Sequence, residues 1–247
     1  MRNHLSLRSG NPALNKNTFK GLHAHNNQIM TIDGTVNKTS LALIILLFSS
    51  YYTYSTSNTN FIFMGMIAGV ILAIATIIKK QWAPITVPLY AICQGLALGG
   101  ISAIYDNMYT GIVQQAIFLT FGIFTALLFA YKTKIIRATE NFKLGVFAAT
   151  GGIAIVYFIS FIMSFFGSGL SIMNIQNASM MSIGFSFFVV IIASLNLVLD
   201  FDFIEEASEA GVPKYMEWYA TFGLLITLIW LYLEILRLLA KLQSRRN

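Results

Sequence analysis

Two acids sit where acids are expensive. Asp200 lies in Leu199-Asp200-Phe201-Asp202-Phe203-Ile204-Glu205, which follows a stretch without Lys, Arg, Asp or Glu from Leu144 to Leu199. That stretch is too long for one membrane helix and about right for two. Glu234 lies inside the last apolar segment, within Trp230-Leu231-Tyr232-Leu233-Glu234-Ile235-Leu236-Arg237. An acidic connector, 206–214, joins the two regions, and seven of the ten acidic residues fall between Asp200 and Glu234. A carboxylate facing lipid is costly, so an intramembrane acid is a functional hypothesis by default. Two carboxylates in a poorly hydrated site do not both ionise cheaply and come to share a proton. Protonated, such a pair is a hydrogen bond tying two helices. Ionised, it repels and offers hard oxygen ligands to Ca²⁺. Asp200 and Glu234 are therefore the candidate proton sensor and cation gate, with Asn196, Asp202, Glu217 and Arg237 as auxiliaries.

Each acid also has a plainer reading. Asp200 can be the solvated end of a helix. Glu234 can pair with Arg237, three residues on along the same helix. Asp202, Glu205, Glu206 and Glu209 fit a solvated face. Depth is a further test. Straight antiparallel helices, rising 1.5 Å per residue, put Asp200 and Glu234 at different levels unless one helix extends beyond its apolar run. Glu217 is nearer to Asp200 in depth and is the substitute partner.

The elements around the acids carry polar stripes. Ser182, Ser186, Ala193, Asn196 and Asp200 recur every three to four residues or at multiples of that spacing, which is one face of a helix. Thr227, Glu234 and Lys241 recur every two turns on the next helix. A polar stripe on a membrane helix faces a partner helix or a wet cavity, not lipid.

Composition requires a membrane. The chain has 247 residues, 56% hydrophobic and 11% charged, with a mean hydropathy of +0.69. Soluble domains carry roughly 25% charged residues. The net charge of +6 and pI near 9.4 do not point to nucleic acid. The basic residues are instead spread over short segments between apolar runs, the positive-inside pattern. The lone Cys93 sits in an apolar run and reads as a small packing side chain.

The fold class expected is all-α, a polytopic membrane protein. Seven spans are read at 40–54, 61–78, 84–104, 111–131, 144–166, 179–199 and 215–240. Pro84 and Pro88 fall in the first turns of the third, and Pro213 starts the seventh. Tyr51, Tyr52, Tyr54, Trp82, Tyr215, Trp218 and Tyr219 lie at span ends, as interfacial aromatics do. Residues 1–38 form a polar, basic tail with Arg2, Arg8, Lys16, Lys20 and Lys38, and 39–247 the membrane domain. The first apolar run starts at Leu41, so no secretory signal peptide is expected. Phe19 and Ile29-Met30 suit a tail lying along the membrane surface. His4, His23 and His25 all fall in the tail, and His23-Ala24-His25 lacks the further ligands that a metal site needs.

Lys79, Lys80, Lys132, Lys134, Arg137 and Lys143 cluster in the second and fourth breaks, while the first, third and fifth contain no Lys or Arg. The N-terminus and even-numbered breaks are thus expected in the cytoplasm of a cell (plasma or inner) membrane. Arg237, Lys241, Arg245 and Arg246 near an outside C-terminus run against this count, and six spans with a re-entrant last segment is the alternative. Gly65-Met-Ile-Ala-Gly69 and Gly95-Leu-Ala-Leu-Gly99 let helix backbones approach closely, within one chain or between two copies.

Enzyme chemistry finds little support. No histidine lies in the spans, which removes Ser/His and Cys/His sites there. His-Glu-x-x-His and a phosphate-cradling Gly-rich loop with Lys are absent, and neither acid has a Gly-x-Gly-Asp context.

Leu199-Asp200-Phe201-Asp202-Phe203-Ile204, followed by Leu231-Tyr232-Leu233-Glu234-Ile235, resembles the two acid motifs of the Bax inhibitor-1 (transmembrane Bax inhibitor motif) family. Asn11-Pro12-Ala13-Leu14, Met30-Thr31-Ile32-Asp33-Gly34-Thr35-Val36-Asn37-Lys38 and Pro213-Lys214-Tyr215-Met216-Glu217-Trp218 fit its bacterial, YccA-like branch. The resemblance covers about Asn11 to Ala240. It implies seven helices with the C-terminal one central. It also implies a pH-sensitive Ca²⁺ leak controlled by an acid pair that Asp200 and Glu234 match, Glu234 standing where better-known members carry Asp. Some bacterial relatives instead look like modulators of a membrane-anchored protease. Two functions are therefore expected: a proton-regulated cation leak with Ca²⁺ as the permeant ion and no cofactor, or a non-transporting protein that restrains a membrane partner. Fold alone does not choose between them.

Overall fold

The structure, a computed structural model, describes residues 29–167 and 169–246. The three histidines, Arg2, Arg8, Lys16, Lys20, Phe19 and the Asn11-Pro12-Ala13-Leu14 motif lie outside the described residues. Among those described, seven α-helices are long and apolar enough to cross a membrane. They are α1 (Ile32–Thr56), α2 (Asn60–Ile78), α3 (Ala83–Met108), α4 (Ile112–Lys132), α5 (Glu140–Phe165), α6 (Met180–Glu209) and α7 (Met216–Arg246). The last segment is one unbroken helix rather than a re-entrant one.

Two helix ends and the place of one proline differ from the sequence reading. The first helix starts at Ile32, because Thr31 caps it by accepting a hydrogen bond from the Gly34 amide at 3.0 Å and Asp33 sits in its first turn. Lys38 is therefore helical, not tail. The sixth helix does not stop at Leu199. Phe201, Phe203, Ile204 and Ala207 continue its buried face, and the stop comes at Gly211, whose φ of 65° suits glycine. Glu206 and Glu209 are thus on α6, and the connector shrinks to 210–215. Pro88 lies one turn inside α3, beyond the harmless first turn, as membrane helices tolerate.

The chain divides into two compact units, and α6 and α7 each run through both. Among the described residues, one unit comprises 29–108 and 200–226. Within it α3 packs on both α1 and α2. A Cβ at Gly95 or Gly99 would overlap the carbonyl of Leu46 or Ser50 on α1, and one at Gly65 would overlap the Cys93 carbonyl on α3. Both small-residue faces are therefore used within this chain, and the bare backbones set the close approach. Tyr90 on α3 meets Phe222 on α7 edge to face at 5.0 Å.

The other unit comprises the described residues of 109–199 and 227–246. Ile153, Val189 and Ile192 form its buried apolar cluster, packed by Ala149, Tyr157, Phe185 and Trp230. Its outward faces are as apolar as its interior: Phe118, Phe129, Phe158 and Phe165 are all exposed. Such a surface suits lipid, not water. The seventh helix, expected at the centre, is buried on most of its sides in both units. Met216, Tyr219, Phe222 and Leu225 lie in one, and Leu231, Ile235, Leu236 and Ala240 in the other.

Candidate functional site

Burial follows the polar stripes. Ser182, Ser186, Ala193, Asn196 and Asp200 on α6 are all within 1% of full burial, and Thr227, Glu234 and Lys241 on α7 within 2%. The outward positions between them, such as Met181, Phe187, Phe188 and Ile191, are exposed and apolar. The helical period that places Ile and Phe toward lipid turns the polar side chains inward.

Glu234 is held by two neighbours in its own unit. The Tyr157 hydroxyl on α5 donates to its Oε1 at 2.6 Å. Arg237 Nη1 lies 2.9 Å from each carboxylate oxygen and donates to the Tyr157 hydroxyl at 2.8 Å. The guanidinium carbon is 5.4 Å from the centre of the Tyr157 ring. The Glu234 side chain is 2% exposed and that of Arg237 is 24% exposed, so the pair runs from the interior toward the edge of burial. The pairing of Glu234 with Arg237 by helical spacing is thus realised, and Tyr157 joins both.

A second polar pair lies on the other side of the apolar cluster. Asn196 Nδ2 donates to Thr150 Oγ1 and to the Ile192 carbonyl, both at 2.8 Å. Its buried Oδ1 has no hydrogen-bond partner among the described residues. Thr150 is one turn before Ile153 on α5, and Tyr157 is one turn after it. The Ile153, Val189 and Ile192 cluster therefore forms an apolar layer between the Asn196 level and the Glu234 level of this unit. Beyond Glu234, the Lys241 ammonium donates to the Ile172 carbonyl at 2.7 Å, Ser186 Oγ at 2.8 Å and the Ser182 carbonyl at 3.3 Å. These three acceptors are neutral, so this stretch of α7 carries one negative and two positive side chains.

Asp200 belongs to the other unit. It is fully buried in mid-helix, which rules out the reading of a solvated helix end. Asp202 is half-buried, and Glu205 and Glu209 are exposed, as a solvated face requires. Glu217, in the first turn of α7, is also fully buried and is engaged on both oxygens. Its Oε1 accepts from the Thr31 amide at 3.0 Å and from Thr31 Oγ1 at 3.1 Å, and its Oε2 accepts from the Lys38 ammonium. A side chain at Gly34 would collide with this carboxylate, which explains the glycine. The Met30 amide donates to the Val212 carbonyl at 2.8 Å, and Ile29 bridges to Pro213. The Met30-to-Lys38 motif and the Pro213-to-Trp218 motif are thus two halves of one clamp.

Two candidate acids therefore have a cation each, Glu234 with Arg237 and Glu217 with Lys38. Asp200 and Glu234 fall in different units. No group of three or more His, Cys, Asp or Glu side chains suited to a metal ion occurs among the described residues. Sequence reasoning missed Tyr157, Thr31 and Lys38 as partners. A tyrosine in mid-span, away from the interface, was the available signal for Tyr157. Nothing in one sequence pointed from Lys38 to an acid so far along the chain.

Seven lipid-length helices that bury both acids and cations define an integral, multi-pass membrane protein. The family model described as Bax inhibitor 1 like matches residues 11–244, and the chain belongs to that family. No curated protein matches the chain.

Proposed function

We propose that this protein is a proton-regulated cation leak of the cell membrane, with Ca²⁺ as a permeant ion and Asp200 and Glu234 as its regulating acids. The observation that carries the reading is the full burial of both carboxylates on inward polar stripes, in a protein whose outer faces suit lipid. Asn196, with a buried oxygen to spare, and Arg237, on Glu234, are the auxiliaries nearest the chemistry. Asp202 and Glu217 have lesser parts, a solvated acid and a structural clamp. The family motifs support assignment to the bacterial YccA-like branch, and no catalytic role is assigned. Purified protein in liposomes with an enclosed Ca²⁺ dye is expected to pass Ca²⁺ at a rate that changes between about pH 5 and 8. Pure, folded protein giving no flux across that range would sink the reading.

A second reading has its own support. Both Glu234 oxygens are already occupied, which suits a non-transporting protein that restrains a membrane-anchored protease or another integral partner. In either case the basic segments favour a cytoplasmic N-terminus. Reporter fusions at Asn58, Asp106 and Asn174, which lie at or near helix ends, are expected to signal the outside face. A cytoplasmic signal from any of them would break this topology.

A further inference from the structure

We propose that Arg237 is a tethered cation: it occupies the Glu234 carboxylate and excludes a mobile cation until its side chain swings outward. The proposal rests on the cation-leak reading and names how that site is kept closed.

The geometry makes the two cations mutually exclusive. A divalent cation on Glu234 needs one or both carboxylate oxygens at 2.3–2.6 Å. Arg237 Nη1 sits 2.9 Å from both, and Tyr157 donates to one of them at 2.6 Å. A cation cannot enter that position while a guanidinium holds it. Charge points the same way, because with Arg237 in place the nearest charge on α7, Lys241, is positive and has only neutral oxygens as acceptors. Removing the guanidinium from the carboxylate exposes one negative charge in a poorly hydrated position, where a cation binds it strongly.

Arg237 is also built to leave. Its side chain is 24% exposed against 2% for Glu234. A long apolar stem with a charged head can swing aside while the stem stays packed. Tyr157 offers the guanidinium its ring face at 5.4 Å and its hydroxyl at 2.8 Å, so the cation is held through its head by polar and ring contacts rather than by full burial. Guanidinium keeps its charge across the physiological range, so its position, not its protonation, sets the state.

The test uses the full-length chain and its Arg237→Gln, Arg237→Lys, Glu234→Gln and Glu234→Gln/Arg237→Gln variants, each checked for monodisperse elution and thermal unfolding. Ca²⁺ entry is read in liposomes. Tb³⁺ binding is read in detergent, by luminescence sensitised through Tyr157 and Trp230. Arg237→Gln is expected to raise Ca²⁺ entry about tenfold and to create Tb³⁺ luminescence, the size expected for losing one competing charge contact. Arg237→Lys keeps the cation but loses the fork and the ring contact, so it is expected to fall between wild type and Arg237→Gln in both readouts. The double variant is expected to lose both gains. Tb³⁺ binding in Arg237→Gln no stronger than wild type overturns the proposal, as does a gain that survives Glu234→Gln or that Arg237→Lys reproduces in full. If no variant passes Ca²⁺ while Tb³⁺ binding appears in Arg237→Gln and depends on Glu234, the tether stands and the leak reading falls.

Discussion

Asp200→Asn and Glu234→Gln are each expected to abolish most of the pH dependence of flux, and the double variant to match either single one. If the proton response needs both acids, removing either one removes it. Coupled groups show interaction energies of about 0.5–3 kcal/mol, while independent sites add within about 0.5. Glu217 gives the control. Its carboxylate is taken by Thr31 and Lys38, so the Asp200→Asn/Glu217→Gln cycle is expected to be additive. If that cycle is coupled and the Asp200/Glu234 cycle is additive, the acids have been assigned wrongly. If neither is coupled, the acid-pair mechanism fails for this chain. Flux is compared per folded protein, because Glu234→Gln also removes the charge partner of Arg237.

Lys38→Met is expected to destabilise the protein by about 3–5 kcal/mol, the cost of leaving a buried carboxylate without its cation. Glu217 is fully buried, whereas the Lys38 side chain is 20% exposed. The asymmetry makes the two deletions unequal. After Glu217→Gln, Lys38 can turn its ammonium to water, and the amide oxygen still accepts from the Thr31 amide. The loss is therefore expected to be only about 1–2 kcal/mol. Adding Glu217→Gln to Lys38→Met is expected to restore most of the stability, because no buried charge is left unpaired. Thermal unfolding of the four proteins in detergent measures this. Equal and additive losses would mean that the pair is an ordinary surface contact. The same clamp holds Met30 and Thr31 against the α6–α7 connector, so Lys38→Met is also expected to speed amide exchange at 210–215.

Much of the architecture was legible because a bilayer is a simple solvent. It demands apolar runs of a set length and interrupts them with charge, so composition alone established the class and the break residues located the spans. Helical period did the same for orientation. The three-to-four-residue recurrence from Ser182 to Asp200 predicted an inward stripe, and burial follows it residue by residue. The Glu234–Arg237 contact was also within reach, since residues three apart on a helix are neighbours whatever the tertiary fold. Local periodicity carries that information in the chain itself.

Contacts between distant segments were decided only by the tertiary structure. Glu217 meets Thr31 and Lys38, and Glu234 meets Tyr157, across sequence separations that no local pattern spans. Where α6 ends was undecided for a related reason. The acids after Leu199 marked the end of an apolar run, but a helix stops where its backbone loses partners or meets a glycine turn. Here that is Gly211, after a further stretch of buried apolar positions. The glycine at 34 was present in the sequence without its reason. Only the carboxylate of Glu217, brought against it by packing, shows why a side chain cannot stand there.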